Sequence, residues 1–345
     1  MREINNDTVH ENLLKRTPVL AFDENKDYAV WKKDVREKFV ELIGIKAIAE
    51  NACPIVVETE EIVEKDEYTR IRYVFESEKG CFVPCYLLIP HNRDKKMPVC
   101  ICLQGHSTGF HISVGEKKYD IDDRWLATST FAIDAVKNGY AVLAIEQRGM
   151  GERTTLKENR GKALTCGCYF TAMTALLLGR TVIGERVWDV SKAIDSLEYF
   201  ARKFMLDTGD ITLLGTSGGG TATYYSACFD ERIKTAVPTC ALSSYRASIG
   251  DMWHCSCNYI PGIAKFFDMG ELSALIAPRK LLICNGEIDP IFPLAEAQDV
   301  YSVIEKIYDK ENAANNCKFV VYPDKPHYFD KTITFNELKN LRRVK

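Results

Sequence analysis

The residues best suited to do chemistry lie in a G-x-S-x-G pattern at 215–219, with Ser217 at its centre. The short apolar run with β-branched residues at 211–214 predicts a buried strand before the pattern, and the small residues behind it can begin a helix. A serine on such a sharp strand-to-helix turn projects its hydroxyl above the sheet edge, and Gly215 and Gly219 let neighbouring backbone pass close by. Although the pattern also arises by chance in Gly/Ser loops, this context favours a nucleophile at Ser217.

Two later loops supply candidates for the base that a serine needs and for the group that orients the base. A buried strand predicted at 281–284 runs into a loop that contains Glu287 and Asp289, and a strand predicted at 318–322 is followed by His327. This chain order of serine, acid and histidine is that of the α/β-hydrolases. We therefore predict Asp289 as the acid and His327 as the base, and Glu287 remains the alternative acid on the same loop.

An oxyanion hole is predicted beside this serine. The strand expected at 99–103 is followed at its carboxyl end by the loop Q-G-H-S-T-G at 104–109. In the hydrolase fold this loop supplies one backbone amide, and the residue after the nucleophile supplies the other. We assign the backbone N–H groups of His106 and Gly218 to these roles, and we expect the His106 side chain only to line the pocket.

Two segments contain the candidate substrate-binding residues, Arg148 and His254. The strand expected at 140–145 leads into a charged, glycine-containing turn at 146–153, for which we favour a structural salt-bridge network. Binding of an anionic substrate group by an arginine of this turn is the alternative. His254 lies in the aromatic and cysteine-rich segment 240–267, which fits a lid or pocket wall and fits core packing equally well.

The thirteen cysteines do not indicate a disulfide framework, because the chain is large, the count is odd and no secretion signal is visible. We expect mostly reduced thiols. The pairs Cys166/Cys168 and Cys255/Cys257 have C-x-C spacing, which differs from the C-x-x-C of common zinc sites. His254 stands beside the second pair, so a metal cluster is the alternative to the packed loop near the active site that we favour.

Composition describes an ordinary globular chain of 345 residues, with 46% hydrophobic and 27% charged residues and a formal net charge of -3. This near-neutral balance gives no electrostatic case for nucleic acid or an anionic membrane surface as a partner. The N-terminus has no apolar segment behind Arg2, and no apolar run approaches membrane-spanning length. We expect a cytoplasmic protein.

The order of predicted elements indicates an α/β fold. An amphipathic helical pattern fills much of residues 1–54, and three strand patterns between 55 and 89 indicate antiparallel strands that open the sheet. From residue 99 onward strands and helices alternate, which predicts a mostly parallel sheet covered on both faces. We therefore predict an α/β-hydrolase fold, with an N-terminal helical extension at 1–54 and a catalytic domain at 55–345.

From about residue 31 to residue 327 the chain resembles the α/β-hydrolase superfamily, and within it the bacterial acetyl xylan esterase-like and dienelactone hydrolase-like esterases. The segments that carry the resemblance are QGH at 104–106, EQRGMGE at 146–152, GTSGG at 215–219, HCSCNYIPG at 254–262, and APR at 277–279 leading to Gly286 and Asp289. The resemblance implies a carboxylic ester hydrolase that acts on short acyl esters, with acylated sugars as candidate substrates.

The predicted chemistry is acyl transfer through Ser217, His327 and Asp289, which requires no metal or organic cofactor. A small-molecule ester is the expected partner, and the oligomeric state is left open. One alternative is a prolyl-type peptidase, but such enzymes usually carry a large propeller domain that about 50 helical residues cannot build. The other alternative is a ligand-binding protein that keeps the hydrolase pocket without turnover.

Overall fold

A computed structural model describes residues 7–91, 94–155 and 167–344 of the chain. In this part of the chain nine strands form a single sheet in the order β1-β2-β3-β5-β4-β6-β7-β8-β9. The strands are β1 (Val57–Glu64), β2 (Tyr68–Glu78), β3 (Cys81–Pro90), β4 (Met97–Leu103), β5 (Ala141–Ile145), β6 (Leu206–Thr216), β7 (Ile233–Thr239), β8 (Lys280–Gly286) and β9 (Cys317–Tyr322).

Helices connect these strands, cover the sheet and add a segment before it. The α-helices of the described residues are α1 (Asp7–Leu14), α2 (Tyr28–Leu42), α3 (Ile45–Ala49), α4 (Asp123–Leu126), α5 (Phe131–Lys137), α6 (Cys168–Leu177), α7 (Val182–Phe204), α8 (Gly218–Phe229), α9 (Ile263–Phe266), α10 (Met269–Leu272), α11 (Leu294–Lys310) and α12 (Lys331–Arg343). Short 3₁₀ turns lie at Phe110–Ile112, Asp120–Asp122, Gly151–Arg153, Ser256–Asn258, Ser273–Leu275 and Ala314–Asn316.

The predicted sheet topology is confirmed. Strands β1, β2, β3 and β5 pair in antiparallel fashion, and β5, β4, β6, β7, β8 and β9 pair in parallel. The first three strands can therefore follow one another through short turns, whereas each parallel step needs a crossover segment. Because parallel strands end at the same edge, the loops after β4, β6, β8 and β9 meet there.

The two faces of the sheet bury different side chains of the same strand, as the two-residue period of a strand requires. In β4, Val99, Ile101 and Leu103 join the larger core cluster, which also contains residues of α2, α7, α8 and α11. Cys100 and Cys102 point to the opposite face and join the cluster that contains residues of α5 and α12. These two cysteines pack as small apolar residues, as the alternation predicts.

Helix α2 packs on the face of the sheet that carries α8. Trp31, Val35 and Phe39 of α2 are buried in the larger core cluster, and the Phe39 ring stacks on Tyr225 of α8 at 6.0 Å. The helical segment therefore shares a core with the sheet, and the division at residue 54 stays a prediction. Among the described residues, no helix has the length and apolar character required to cross a membrane.

Helix α7 determines where the central strand β6 begins. Thr181 caps its first turn by accepting a hydrogen bond from the Gly184 N–H, and Met205 ends it in the left-handed conformation (φ 53°). The chain then enters β6 at Leu206 without an intervening loop. Most apolar residues of α7 are buried in the larger core cluster together with Ile211 and Leu213 of β6, so packing fixes the second half of the strand, which leads to Ser217.

Candidate active site

Ser217 occupies the sharp turn that the sequence predicts between a strand and a helix. Strand β6 ends at Thr216, helix α8 begins at Gly218, and Ser217 between them has φ 54° and ψ −123°. A non-glycine residue rarely adopts such a conformation, and functional sites are where such strain concentrates. The Ser217 N–H donates to the Thr239 carbonyl of β7 at 2.9 Å, which holds the strained residue in place.

The two glycines of the pattern are required by close contacts of the backbone. A Cβ atom at Gly215 would lie 2.3 Å from the Gly219 carbonyl oxygen, and one at Gly219 would lie 2.0 Å from the Leu103 carbonyl oxygen. A side chain at Gly215 would therefore push the start of α8 away from β6, and one at Gly219 would push it away from β4. This is the physical reason for the glycines that the sequence pattern contains.

Asp289 and His327 are brought together by the loops after β8 and β9. The His327 Nδ1–H group donates to Oδ2 of Asp289 at 2.8 Å, and Oδ1 of Asp289 accepts from the Ile291 and Phe292 N–H groups. Burial raises the pKa of Asp289, but the hydrogen bond and charge of His327 and the two N–H groups outweigh it, so this pKa lies below its ordinary value. The carboxylate stays ionised beside the imidazole.

The imidazole of His327 is held by Asp289 and Phe292, and its Nε2 atom is left available. Its ring stacks on Phe292 with centroids 6.0 Å apart, and its buried Nε2 atom has no hydrogen-bond partner among the described residues. With Nδ1 committed to Asp289, Nε2 is the nitrogen that can accept a proton. A histidine held in this way has the geometry of a general base.

Glu287, the alternative acid, is directed elsewhere. It is exposed, and its Oε2 accepts a hydrogen bond from the Asp324 N–H at 2.8 Å. Of the two acids on this loop, the structure places Asp289 against His327 and Glu287 against the backbone of the next loop. The geometry therefore favours Asp289.

The loop after β4 is held by side chains that follow β5. Glu146 is fully buried; its Oε1 accepts from Gln104 Nε2 at 2.6 Å, and its Oε2 accepts from the Phe110 and Glu152 N–H groups at 3.2 Å. Gln147 Nε2 donates to the Gln104 carbonyl at 2.6 Å. Burial raises the pKa of Glu146 to about 7, although the two N–H groups act in the opposite direction.

The role of Glu146 in holding this loop was not predicted from the sequence. The signal that could have indicated it is an acidic residue directly after a predicted buried strand. Such a residue lies at the edge where the parallel strands end, close to the loops that form the site. One partner, the Glu152 N–H group, lies in the same turn, but Gln104 and Phe110 lie about 40 residues earlier, and no local pattern links them to Glu146.

The predicted oxyanion-hole residues lie side by side. The His106 ring packs so close to Gly218 that a Cβ atom there would lie 2.5 Å from its Cε1 atom. Gly218 is the first residue of α8, where a backbone N–H has no acceptor within the helix and the helix dipole is positive. A Cβ atom at Gly105 would lie 3.2 Å from Cβ of Ser217, so the loop also runs beside the serine.

Arg148 lies in a buried network of acidic side chains. Its guanidinium donates to Asp189 at 2.9 Å through both Nε and Nη2, donates to Glu78 at 2.5 Å, and lies 3.4 Å from Glu185. Arg153 also donates to Asp189, at 2.7 Å. Burial raises the pKa of Asp189, but the charges of the two arginines outweigh it and lower this pKa. This arrangement fits the structural network and not the candidate role of Arg148 in binding substrate.

His254 lies one aromatic ring away from the base. Phe292 contacts His254 edge-on at 5.4 Å and stacks on His327 at 6.0 Å. Nε2 of His254 lies 2.9 Å from the Ser248 hydroxyl, which donates to the Ile291 carbonyl. Burial lowers the pKa of His254. A neutral His254 can therefore line the site, while its partner Ser248 joins the segment 240–267 to the loop that carries Asp289.

One group of side chains next to this site has the chemistry of a metal centre. The ligand atoms of His106, Cys168, Cys255 and Cys257 all lie within 4.8 Å of one another. His254, the histidine that the sequence places beside the cysteine pair, is not part of the group. Cys166, the partner of Cys168 in the C-x-C pattern, lies outside the described residues.

Comparison with known proteins matches the chain to a hydrolase family. The sequence model of the group described as "Abhydrolase family" matches residues 2–223. The chain is 27% identical to "Putative hydrolase YtaP" of Bacillus subtilis (strain 168) over 293 residues, which cover 84% of this chain and 93% of that protein.

Solved structures with low sequence identity share the fold. A "putative acetyl xylan esterase" from Bacteroides fragilis NCTC 9343 superposes with a TM-score of 0.80 at 18% identity, over 99% of this chain and 96% of that chain. A glucuronoyl esterase from Caldicellulosiruptor kristjansonii superposes with a TM-score of 0.62 at 18% identity, over 97% and 94% of the two chains. These likenesses confirm the predicted α/β-hydrolase fold.

Proposed function

The chain belongs to the Abhydrolase family, and we propose that it is a serine-dependent carboxylic ester hydrolase that acts on short acyl esters. The proposal rests on the positions of three residues, each of which follows the end of a parallel strand. Ser217 follows β6, Asp289 follows β8 and His327 follows β9, so all three lie at the edge where these parallel strands end. This is the arrangement in which a serine can be activated by a histidine and a carboxylate.

In the first step His327 Nε2 takes the proton of the Ser217 hydroxyl as its oxygen attacks the ester carbonyl. Asp289 holds Nδ1–H, which keeps Nε2 free for this proton and stabilises the imidazolium that forms. The negative charge on the carbonyl oxygen is directed to the backbone N–H groups of His106 and Gly218. The imidazolium then returns its proton to the departing alcohol and leaves an acyl group on Ser217.

In the second step water takes the place of the alcohol. His327 removes a proton from the water as it attacks the acyl carbonyl, and the same two N–H groups stabilise the second oxyanion. Collapse of this intermediate returns the proton to Ser217 and releases the acid. Residues of this chain carry out every proton transfer in the cycle.

The proposed substrates are short acyl esters, with acetylated sugars as candidates. Structural neighbours carry the names acetyl xylan esterase, glucuronoyl esterase and methylesterase, all of which denote ester cleavage. A prolyl-type peptidase is less favoured, because the described residues form one sheet with its helices and contain no propeller.

The test is hydrolysis of p-nitrophenyl acetate, butyrate and octanoate by the wild-type protein and by Ser217→Ala. We expect activity that falls with acyl length and is lost in the variant, followed by acetate release from acetylated sugars. Ser226→Ala is the matched control, because Ser226 is a buried serine of the same helix, α8. Activity retained in Ser217→Ala, or tight saturable ligand binding without turnover, would contradict the proposal.

A further inference from the structure

We propose that His106, Cys168, Cys255 and Cys257 bind a structural Zn²⁺ ion directly behind the oxyanion loop. Their nitrogen and sulfur atoms all lie within 4.8 Å of one another. Nε2 of His106 lies 3.3 Å from Sγ of Cys257, which lies 3.4 Å from Sγ of Cys255. Four soft or borderline ligands in one group are the set that selects zinc among the common metal ions.

The separations suit tetrahedral coordination. With Zn–S bonds of about 2.3 Å and a Zn–N bond of about 2.0 Å, the edges of the tetrahedron measure roughly 3.5 to 3.8 Å. The 3.3 and 3.4 Å separations of the structure lie within a few tenths of an ångström of these edges. The remaining separations are no longer than 4.8 Å, so side-chain rotations that shorten them by up to about 1 Å would bring the four atoms around one ion.

A buried arginine beside the cysteines independently supports the proposed zinc site. Arg186 is 1% exposed, and its guanidinium lies 3.3 Å from Sγ of Cys257 and 3.3 Å from Sγ of Cys168. Its remaining hydrogen bonds among the described residues go to the Arg148 carbonyl. A buried cation whose partners are neutral thiols and a carbonyl would be costly, whereas thiolates compensate its charge.

The charges balance when zinc is present. Three thiolates and a neutral imidazole around Zn²⁺ carry a net charge of about −1, and the adjacent guanidinium of Arg186 neutralises it. Three thiolates without a metal would leave an excess of negative charge in a buried site. Zinc binding therefore explains both the close sulfur contacts and the position of Arg186.

The ligands come from three separate segments around the catalytic serine. His106 lies on the oxyanion loop, Cys168 begins α6, and Cys255 and Cys257 lie at the 3₁₀ turn Ser256–Asn258. A site with four protein ligands is closed, so its role is structural rather than catalytic. The ion would fix the His106 ring against Gly218 and thereby hold the backbone that is directed at the oxyanion.

The test measures metal directly, so it does not depend on whether the protein is an esterase. The full-length protein is purified without chelators after growth in zinc-supplemented medium, and its metal content is determined by inductively coupled plasma mass spectrometry. We expect about one zinc per chain in the wild type and a decrease of at least about tenfold in Cys257→Ser. Cys53→Ser is the control, because Cys53 is a half-buried cysteine outside the group. This variant should contain as much zinc as the wild type.

Cobalt replacement supplies a readout that does not require a variant. Co²⁺ added to the metal-depleted wild type should give the intense visible absorption of tetrahedral coordination together with thiolate-to-metal charge transfer. The proposal is overturned if the wild type holds less than about 0.1 zinc per chain and shows no such absorption. It is also overturned if Cys257→Ser keeps a full equivalent of zinc, or if a disulfide joins Cys255 and Cys257 in the purified protein.

Discussion

Nδ1 of His327 lies 2.8 Å from Oδ2 of Asp289, across the two loops that follow the neighbouring parallel strands β8 and β9. The second oxygen of Asp289 accepts two backbone N–H groups of its own loop. The carboxylate is therefore fixed by its own loop before it meets the histidine, and the imidazole is oriented with Nε2 available.

Asp289→Asn should lower kcat by about 10⁴ without unfolding the protein. The asparagine oxygen can keep the bonds to Ile291 and Phe292, but its NH₂ group would face Nδ1 and favour the wrong tautomer of His327. The measurement is steady-state hydrolysis of p-nitrophenyl acetate, with circular dichroism as the check on folding. Glu287→Gln is the matched control and should change kcat by less than about threefold; the opposite pattern would make Glu287 the acid.

Gly218→Ala should lower kcat by about 10² to 10³ with a smaller effect on KM. The added methyl group would lie 2.5 Å from Cε1 of His106, so His106 and its loop must move away from residue 218. The comparison is with Gly209→Ala, an exposed glycine of β6, which should keep wild-type rates. A Gly218→Ala enzyme with kcat within about twofold of wild type would remove His106 and Gly218 from the proposed oxyanion hole.

Arg148→Met should destabilise the protein and leave KM for neutral esters unchanged. Removing the guanidinium leaves the buried carboxylates of Glu78 and Asp189 undercompensated, which costs on the order of 3–5 kcal/mol in the free energy of unfolding. Chemical denaturation measures the loss. Arg246→Met removes a half-exposed ion pair with Glu296 and should cost less than about 1 kcal/mol. An unchanged unfolding midpoint with a tenfold higher KM for an ester that carries an anionic group would instead support substrate binding by Arg148.

Glu146→Gln should change how stability depends on pH. Burial raises the pKa of Glu146 in the folded state from 4.5 to about 7. Between pH 4.5 and pH 7, Glu146 is therefore protonated to a greater extent in the folded protein than in the unfolded chain. The contribution of Glu146 to stability is therefore present below about pH 4.5 and decreases by on the order of 3 kcal/mol as the pH rises to about 7. Glutamine carries no titrating proton and should not show this loss.

The measurement for Glu146 is the free energy of unfolding of wild type and variant from pH 5 to pH 8. The Gln104 side-chain amide can rotate to present its oxygen, which has no hydrogen-bond partner among the described residues, to the new NH₂ group. We expect the variant to gain stability relative to wild type as the pH rises. Parallel pH profiles for the two proteins would contradict the raised pKa of Glu146.

The positions of Ser217, Asp289 and His327 at the ends of strands could be predicted from sequence. Local periodicity located the strands, and strand and helix alternation implied a parallel sheet whose carboxyl ends meet at one edge. The strained turn at Ser217 was also predictable, since its glycines are a local pattern. These features depend on neighbours in the chain.

Features that depend on distant residues were not predicted. The partners of Glu146 and the acidic residues around Arg148 come from separate strands, helices and loops, and only the folded chain brings them together. The cysteine pair at 255–257 was visible in the sequence beside His254, but the histidine that contacts it is His106, about 150 residues earlier. Arg186 carried no local signal, because it lies within the regular apolar pattern of α7.

The most direct test of the central claim is mass spectrometry of the intact protein after reaction with diisopropyl fluorophosphate, which phosphorylates an activated serine. We predict a single adduct on the wild type, located at Ser217 by peptide mapping, that forms with simultaneous loss of p-nitrophenyl acetate hydrolysis. An adduct at another residue, or an unmodified protein that still hydrolyses the ester, would contradict a Ser217 acyl-enzyme.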